Sequence, residues 1–215
     1  MKVAVFGAIS SMGQEVVEDL VFRGHEVIAC VPDVARIPST WGTGVKVVAG
    51  PVTDTATVEA VVTGAQAVVN VLGPGRGQEV RGSPLVSGTR LIVAAMAAHG
   101  VFRYVGHGSP VVRMCPRDQP TLRIRWCRWL ARCLRPRAYR VHRAMLEVVT
   151  NSQLDWTTVR FLRARNGHAR GLKKYVGFFG EDDIGCSASE VDIARFTAAQ
   201  VMDTAYIDDA PAVSN

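Results

Sequence analysis

The chain has 215 residues, 48% of them hydrophobic, which is enough to bury one core, and we expect a single domain over residues 1–215. No stretch approaches the ~20 consecutive apolar residues of a membrane span and no signal-peptide pattern is visible, so we expect a cytoplasmic protein without a membrane span. The five cysteines are odd in number and form no CxxC pair, which argues against a disulfide framework and a metal site, and the net charge of +6 is concentrated in one segment.

Short apolar runs that alternate with helical patterns define the predicted elements. Strands are predicted at residues 3–6, 26–31, 45–49, 67–72, 102–105 and 156–159, and helices at 11–23, 55–63, 84–99, 122 to about 150, and 189–202. Pro136 is expected to end or kink the fourth helix near Arg135. This alternation is typical of an α/β fold, and we predict a Rossmann-type, doubly wound parallel sheet with helices on both faces.

The first strand runs into a glycine turn within the stretch "KVAVFGAISSMGQEVV". Gly7 and Gly13 have the spacing of a phosphate-binding turn, where glycine permits a tight bend and a close approach of backbone to pyrophosphate. Ser10 stands where a third glycine is usual, and its side chain could either crowd the diphosphate or donate a hydrogen bond to it. The alternative interpretation is a tight turn that binds no nucleotide.

The end of the second strand, "CVPDVARIP", contains the residues that usually choose between the two nicotinamide cofactors. A carboxylate there binds the ribose 2′-hydroxyl of NAD, and an arginine binds the 2′-phosphate of NADP. Arg36 favours NADP(H) as the cofactor, while Asp33 leaves NAD(H) as an alternative cofactor.

Three irregular segments follow the carboxyl ends of predicted strands, near residues 73–84, 106–120 and 160–185. Ligands of open α/β sheets bind at this edge, so we expect these loops to form a small-molecule site. His107 lies in the second loop between Gly106 and Gly108, which leave its side chain unshielded. We predict that it faces the substrate as a catalytic residue and, like Ser109 or water, could supply a proton.

An arginine-rich segment spans residues 113–143 and contains a single acid, Asp118. A solvated helix face is the simplest interpretation; nucleic acid, an acidic lipid surface or an anionic ligand are alternatives. Trp126 and Trp129 combine with Leu130 and Leu134 at helical spacing, and arginines fill much of the other face. Such an amphipathic helix could lie on a membrane, bind a partner or roof the substrate pocket. The arginines are Arg113, Arg117, Arg123, Arg125, Arg128, Arg132, Arg135, Arg137, Arg140 and Arg143.

The order of several motifs resembles the atypical short-chain dehydrogenases with NAD(P)H-binding, NmrA-like folds, and within them the flavin reductase/biliverdin reductase B branch. The motifs are "VAVFGA", "ARIP", "GAQAVVNVLGPGRG", "GTRLIVAAMAAHGVFRYV", "HRAMLEVVTNSQLDWTTVR" and "SASEVDIARF". The resemblance implies NADPH binding and hydride transfer to flavins, tetrapyrroles or quinone-like acceptors. It also implies that the arginine-rich helix roofs the pocket. The predicted cofactor-binding residues are Gly7, Ser10, Ser11, Met12, Gly13, Arg36, Leu72 and Gly73.

The catalytic residues that the resemblance implies are Ser109, Tyr139 and His142. Short-chain dehydrogenases use serine to orient the carbonyl, tyrosine to transfer the proton and lysine to lower the tyrosine pKa. Ser109 and Tyr139 stand near the serine and tyrosine positions, but His142 stands near the position of the lysine. Histidine carries no permanent charge, although it can relay a proton near neutral pH.

Four positions depart from the family pattern and keep other functions open. They are Ser10, Pro32, Pro51 and Phe161, which the resemblance places at the diphosphate, the 2′-phosphate, the adenine and the nicotinamide. The first hypothesis is an NAD(P)H-dependent reductase of an aromatic or conjugated acceptor, working as a monomer or weak homodimer without nucleic acid. The alternatives are a biosynthetic cyclase, isomerase or dehydratase that binds no cofactor, and a non-catalytic redox sensor.

Overall fold

A computed structural model of the chain describes residues 1–73, 83–109, 117–119, 121–134, 136–171, 176–179, 181–182, 184–185 and 187–215. Its helices are α1 (Ser11–Phe22), α2 (Thr55–Val62), α3 (Ser83–Ala98), α4 (Leu122–Leu134), α5 (Pro136–Thr150) and α6 (Glu190–Ala199). Its strands are β1 (Lys2–Phe6), β2 (Glu26–Val31), β3 (Val45–Ala49), β4 (Ala67–Asn70), β5 (Arg103–Gly108), β6 (Asp155–Arg160), β7 (Ala164–Arg165), β8 (Val176–Gly177), β9 (Ala188–Ser189) and β10 (Ala212–Val213).

The large sheet has the strand order β3-β2-β1-β4-β5-β6-β10-β8. Its first seven strands are parallel, and β8 pairs antiparallel with β10 at the edge. The order reverses between β1 and β4, which creates a crevice at the carboxyl ends of these two strands. The predicted Rossmann-type α/β fold is therefore confirmed.

Both faces of the sheet are covered by helices, as the apolar strands require. Val3 and Val5 of β1 face the layer that contains α1 and α6, whereas Ala4 and Phe6 face α2 and α3. Helix α5 packs against α3 on the second face. This two-sided burial holds the strand ends in fixed positions around the crevice.

Most predicted elements are confirmed, and the differences are local. Strand β4 ends at Asn70, before the predicted 72, and β5 continues to Gly108 because it pairs with β6 along its whole length. The predicted long helix is divided into α4 and α5, with Pro136 as the first residue of α5. Proline lacks a backbone N–H and suits the first turn of a new helix, which explains the break.

No helix within the described ranges combines the length and the apolar character that crossing a bilayer requires.

Candidate functional site

The glycine turn between β1 and α1 is closely packed backbone. Gly7 has a φ of +82°, a conformation that disfavours residues with a Cβ. A Cβ on Gly13 would lie 2.2 Å from the Gly7 carbonyl oxygen, so the first turn of α1 sits directly on the end of β1. A Cβ on Gly7 would lie 3.1 Å from the Leu72 amide nitrogen, which places the turn against the chain leaving β4. Both glycines are therefore required by the geometry.

Ser10 serves the helix itself. Its hydroxyl accepts a hydrogen bond from the Gly13 N–H at 3.0 Å and donates one to the Gly7 carbonyl at 2.8 Å. This arrangement caps the N-terminus of α1, as serine commonly does. The side chain is thus folded back onto the turn, and its one proton is already used within the turn.

The amides of Ser11 and Met12 remain available at the N-terminus of α1. Among the described residues neither N–H makes a hydrogen bond, whereas the next two amides, of Gly13 and Gln14, donate to Ser10. Free amides at a helix N-terminus bind anionic groups such as phosphate. The turn therefore fits the diphosphate of a dinucleotide through two backbone donors.

A carboxylate lies beside these donors. The Ser11 hydroxyl donates a hydrogen bond to Glu190, the first residue of α6. Burial, followed by the negative charges of Glu18 and Glu190, raises the pKa of Glu15. The negative charge of Glu190 therefore opposes the binding of a diphosphate at the same turn.

The end of β2 presents Arg36 to solvent. A short 3₁₀ helix covers Val34–Arg36, and the Asp33 carboxylate caps it by accepting the Ala35 N–H at 3.0 Å. Asp33 is thereby engaged with its own turn, while Arg36 is exposed. Pro32 is also exposed at this corner, ahead of the capped turn.

A narrow cleft of about 20 Å³ lies at the carboxyl ends of β4 and β5, beneath α5. This volume holds about one water molecule. The described residues that line the cleft are Asn70, Leu72, Tyr104, Gly106, His107, Gly108, Ser109, His142, Met145, Leu146, Val149 and Thr158.

Tyr104 and Asn70 form a buried polar pair in the cleft. The Asn70 amide donates to the Tyr104 hydroxyl at 3.1 Å, and the Asn70 carbonyl accepts the Leu72 N–H at 3.0 Å. Burial raises the pKa of Tyr104 well above its usual range, so its hydroxyl stays protonated. A Cβ on Gly106 would lie 2.8 Å from the Tyr104 ring, so that glycine makes room for the tyrosine.

Three of the predicted catalytic residues, His107, Ser109 and His142, line this cleft. The His142 ring lies 3.8 Å from the position that a Cβ on Gly73 would occupy. Burial lowers the pKa of His142, so the ring is neutral at pH 7. His142 thus stands between the cleft and Gly73, one of the predicted cofactor-binding residues.

His107 is turned toward α6. Its Nε2 lies 2.8 Å from the Thr197 hydroxyl, and that hydroxyl donates to the Ile193 carbonyl. The Thr197 oxygen can therefore only accept, so Nε2 of His107 carries the proton. Burial lowers the pKa of His107 to about 4, and its ring packs edge-on against Phe161 at 5.4 Å between centroids.

Tyr139 and the two tryptophans lie elsewhere. Tyr139 is half-buried on α5, and it is not among the described residues that line the cleft. Trp126 and Trp129 are exposed on α4 and line a separate, open concavity. Helix α5 therefore covers the cleft, and the tryptophans of α4 do not.

A buried ion pair ties two of the predicted substrate loops together. Asp118 accepts hydrogen bonds from both terminal nitrogens of Arg160, one of them at 2.8 Å, and Arg160 is fully buried. The Phe179 N–H also lies 3.4 Å from Asp118, and the Gln119 N–H donates to the Phe179 carbonyl. Other parts of the predicted loops, including residues 74–82 and 110–116, lie outside the described residues.

Sequence reasoning missed Tyr104, Asn70, Glu190 and the Arg160–Asp118 pair. Tyr104 and Gly106 are two residues apart and therefore lie on the same face of β5. This spacing was an available signal, because a glycine beside a large ring leaves space for it. An arginine at the end of a buried strand, Arg160, was a second available signal.

Within the described chain no group of three His, Cys, Asp or Glu side chains is arranged to hold a metal ion.

The family model described as NAD(P)H-binding matches residues 7–204. This chain belongs to the NAD(P)H-binding family. The match includes the glycine turn, the end of β2 and the cleft, and it confirms the resemblance to NAD(P)H-binding short-chain dehydrogenases.

Solved structures share the fold over the whole chain at low identity. The oxidoreductase ylbE from Lactococcus lactis has a TM-score of 0.78 at 17% identity, covering 100% of this chain and 91% of its own. A short-chain dehydrogenase/reductase from Veillonella parvula in complex with NADP has a TM-score of 0.79 at 16% identity, covering 100% and 94%. ChuY, an anaerobilin reductase from Escherichia coli O157:H7, has a TM-score of 0.77 at 16% identity, covering 100% and 97%.

Proposed function

We propose that this protein is an NAD(P)H-dependent reductase that acts on an aromatic or conjugated small molecule, such as a flavin, quinone or polycyclic compound. The observation that carries the proposal is the position of His142 and Ser109 in one cleft that adjoins Leu72 and Gly73. The glycine turn and this cleft lie on the two sides of β4, so a cofactor bound at one reaches the other. The fold relatives include a reductase and an NADP complex.

The cofactor would be held mainly by backbone. The Ser11 and Met12 amides, which make no hydrogen bond among the described residues, would donate to the diphosphate, and Gly7 and Gly13 would allow its close approach. Exposed Arg36 supports NADP(H) over NAD(H), because its guanidinium is free to pair with a 2′-phosphate while Asp33 caps its own turn.

The chain's own groups supply the proton and orient the acceptor. When bound, NAD(P)H would supply a hydride to the acceptor. Ser109 orients the acceptor by a hydrogen bond, and the protonated fraction of His142 provides the proton, directly or through water. Because burial lowers the pKa of His142, the protonated fraction of the ring grows as the pH falls. His107 stays neutral and fixes the end of β5 against α6.

Tyr104 and Asn70 give the cleft a fixed polar wall. The Tyr104 hydroxyl stays protonated and accepts a hydrogen bond from the Asn70 amide. Its own proton is therefore available for a hydrogen bond to an oxygen or nitrogen of the substrate. The cleft holds about one water molecule, so an aromatic acceptor requires it to widen at the apolar side chains of Met145 and Leu146. We expect a cytoplasmic enzyme with this activity.

The experiment is NADPH oxidation followed at 340 nm with FMN, a soluble quinone and a linear tetrapyrrole as separate acceptors. The proposal predicts turnover with at least one acceptor and a large loss in His142→Gln. NADPH binding without NADPH oxidation by any of the acceptors would favour the redox-sensor hypothesis. If NADPH neither binds nor is oxidised, the reductase is excluded.

A second candidate function is a cyclase, isomerase or dehydratase that uses the crevice for its substrate and binds no dinucleotide. The contact between Ser11 and Glu190 favours it, because a carboxylate at the diphosphate position weakens anion binding. This candidate predicts that NADPH fails to bind even when Glu190 is replaced by glutamine, whereas the reductase predicts tighter binding.

A further inference from the structure

We propose that α4 is a docking surface for bilayers that contain anionic phospholipids. Apolar side chains on one side of this helix are exposed, although surface helices usually turn such residues inward. Trp126 is 68% exposed and Trp129 is 57% exposed, and Leu122 and Leu134 are more exposed still. The stripe is formed by Leu122, Trp126, Trp129, Leu130, Cys133 and Leu134.

The stripe has the geometry of an interfacial helix. At 100° per residue its members fall within an arc of roughly 140°, and the position of Arg123 lies in the same arc between Leu130 and Leu134. The rings of Trp126 and Trp129 pack edge-on, 5.6 Å apart, which holds both in one apolar surface. Together with Leu122 and Arg125 they line an open concavity of about 370 Å³. Tryptophan is favoured at the membrane surface because its ring is apolar and its N–H is polar.

The charge of α4 complements an anionic surface. The helix contains four arginines and no acidic residue. Arg125, Arg128 and Arg132 fall within an adjacent arc of roughly 60°, along one border of the apolar stripe. Arg125 and Arg132 are exposed, and Arg128 is half-buried. Basic side chains beside an apolar face reach phosphate groups while the apolar face enters the headgroup region.

Other occupants fit these observations less well. A symmetric contact with a second copy would bring the same arginines of both chains together without any acid on α4 to pair them. An acidic protein segment would pair with the arginines but would need an apolar surface to cover the whole stripe. A lipid surface satisfies both features at once, because its phosphates and its acyl chains lie at adjacent depths.

The test is co-sedimentation of the full chain with vesicles of phosphatidylcholine, with and without phosphatidylglycerol. We expect binding only when phosphatidylglycerol is present, and weaker binding as salt is raised. The tryptophan emission should shift to shorter wavelength on binding, since Trp41 and Trp156 are already buried in the core. The Trp126→Ala/Trp129→Ala variant should lose at least about tenfold in partitioning, and Arg125→Gln/Arg132→Gln about as much.

The matched controls are Phe22→Ala, which removes an exposed aromatic ring on α1, and Lys46→Gln, which removes an exposed charge on β3. Both should bind vesicles like the unaltered chain. Equal binding by the tryptophan variant, with polyglutamate competing fully, would overturn the proposal in favour of a purely electrostatic surface. Absence of vesicle binding, or a dimer that the tryptophan variant converts to monomer, would also overturn it.

Discussion

The glycine turn and the cleft beneath α5 form the two sides of the candidate site, and they are built differently. The turn is close-packed backbone, in which Gly7 and Gly13 leave no space for a Cβ and the Glu190 carboxylate lies beside free amides. The cleft is made of neutral side chains, His142 among them, from elements far apart in the chain. The turn is therefore sensitive to size and charge, while the cleft is sensitive to hydrogen bonding and protonation.

The largest effect is expected at the turn. Gly13→Ala places a Cβ 2.2 Å from the Gly7 carbonyl, so it should lower the free energy of unfolding by about 3 kcal/mol and abolish NADPH binding. Urea unfolding measures the first effect and calorimetric titration the second. Gly44→Ala is the control, because its Cβ would meet only Val21, at 3.4 Å. Equal stability of the two variants would show that the turn is not close-packed.

In the cleft, His142→Gln should lower kcat about 100-fold while the KM for NADPH changes little, because the variant loses the proposed proton donor and keeps the glycine turn. Since the pKa of His142 is lowered by burial, kcat of the unaltered enzyme should rise as the pH falls from 8 to 6. The variant should lose this slope. His99→Gln, an exposed change directly after the C-terminus of α3, should behave like the unaltered protein. An unchanged pH profile in His142→Gln would remove His142 from the mechanism.

A third test concerns His107, whose pKa is lowered to about 4 in the folded chain. In the unfolded chain the His107 ring takes up a proton near pH 6.5, whereas in the folded chain it does so only near pH 4. As the pH falls below 6.5, protonation of His107 therefore stabilises the unfolded chain and lowers the free energy of unfolding. Between pH 7 and pH 5 this linkage amounts to about 2 kcal/mol. Urea unfolding at the two pH values should show that the free energy of unfolding falls less between pH 7 and pH 5 in His107→Gln than in the unaltered chain, by this amount. If the loss is the same in both proteins, the histidine is not held neutral.

The smallest effect is expected for the charge at the turn. Glu190→Gln keeps the hydrogen bond to Ser11 but removes a negative charge from the proposed diphosphate position, so NADPH should bind about fivefold more tightly. Glu59→Gln, an exposed change on α2, should leave the affinity unaltered. Weaker binding in Glu190→Gln would mean that the carboxylate assists the cofactor rather than opposing it.

The sequence was informative wherever the physical cause is local. Alternating strand and helix patterns predicted the sheet and all its central strands, and Pro136 predicted the division between α4 and α5. The spacing of Gly7 and Gly13 predicted the turn, because a bend of this kind is determined by its own few residues. The two-residue strands β10 and β8, the last two in the strand order, were not predicted, since two residues carry no periodicity.

The candidate site was predictable only in part. Ser109 and His142 were selected from their places in a pattern, and they share a cleft. The direction of His107 could not be inferred, because its partner Thr197 is 90 residues away on α6. Glu190 could not be placed at the turn for the same reason, since the docking of α6 beside α1 determines that contact.

Direct titration with NADPH tests the central claim, that the turn between β1 and α1 still binds a dinucleotide. Calorimetry on the unaltered chain should give a Kd for NADPH in the micromolar range. The affinity of the unaltered chain for NADH, and that of Arg36→Ala for NADPH, should each be about tenfold lower. No detectable binding of NADPH, in both the unaltered chain and Glu190→Gln, would contradict the account and leave only the fold and its family.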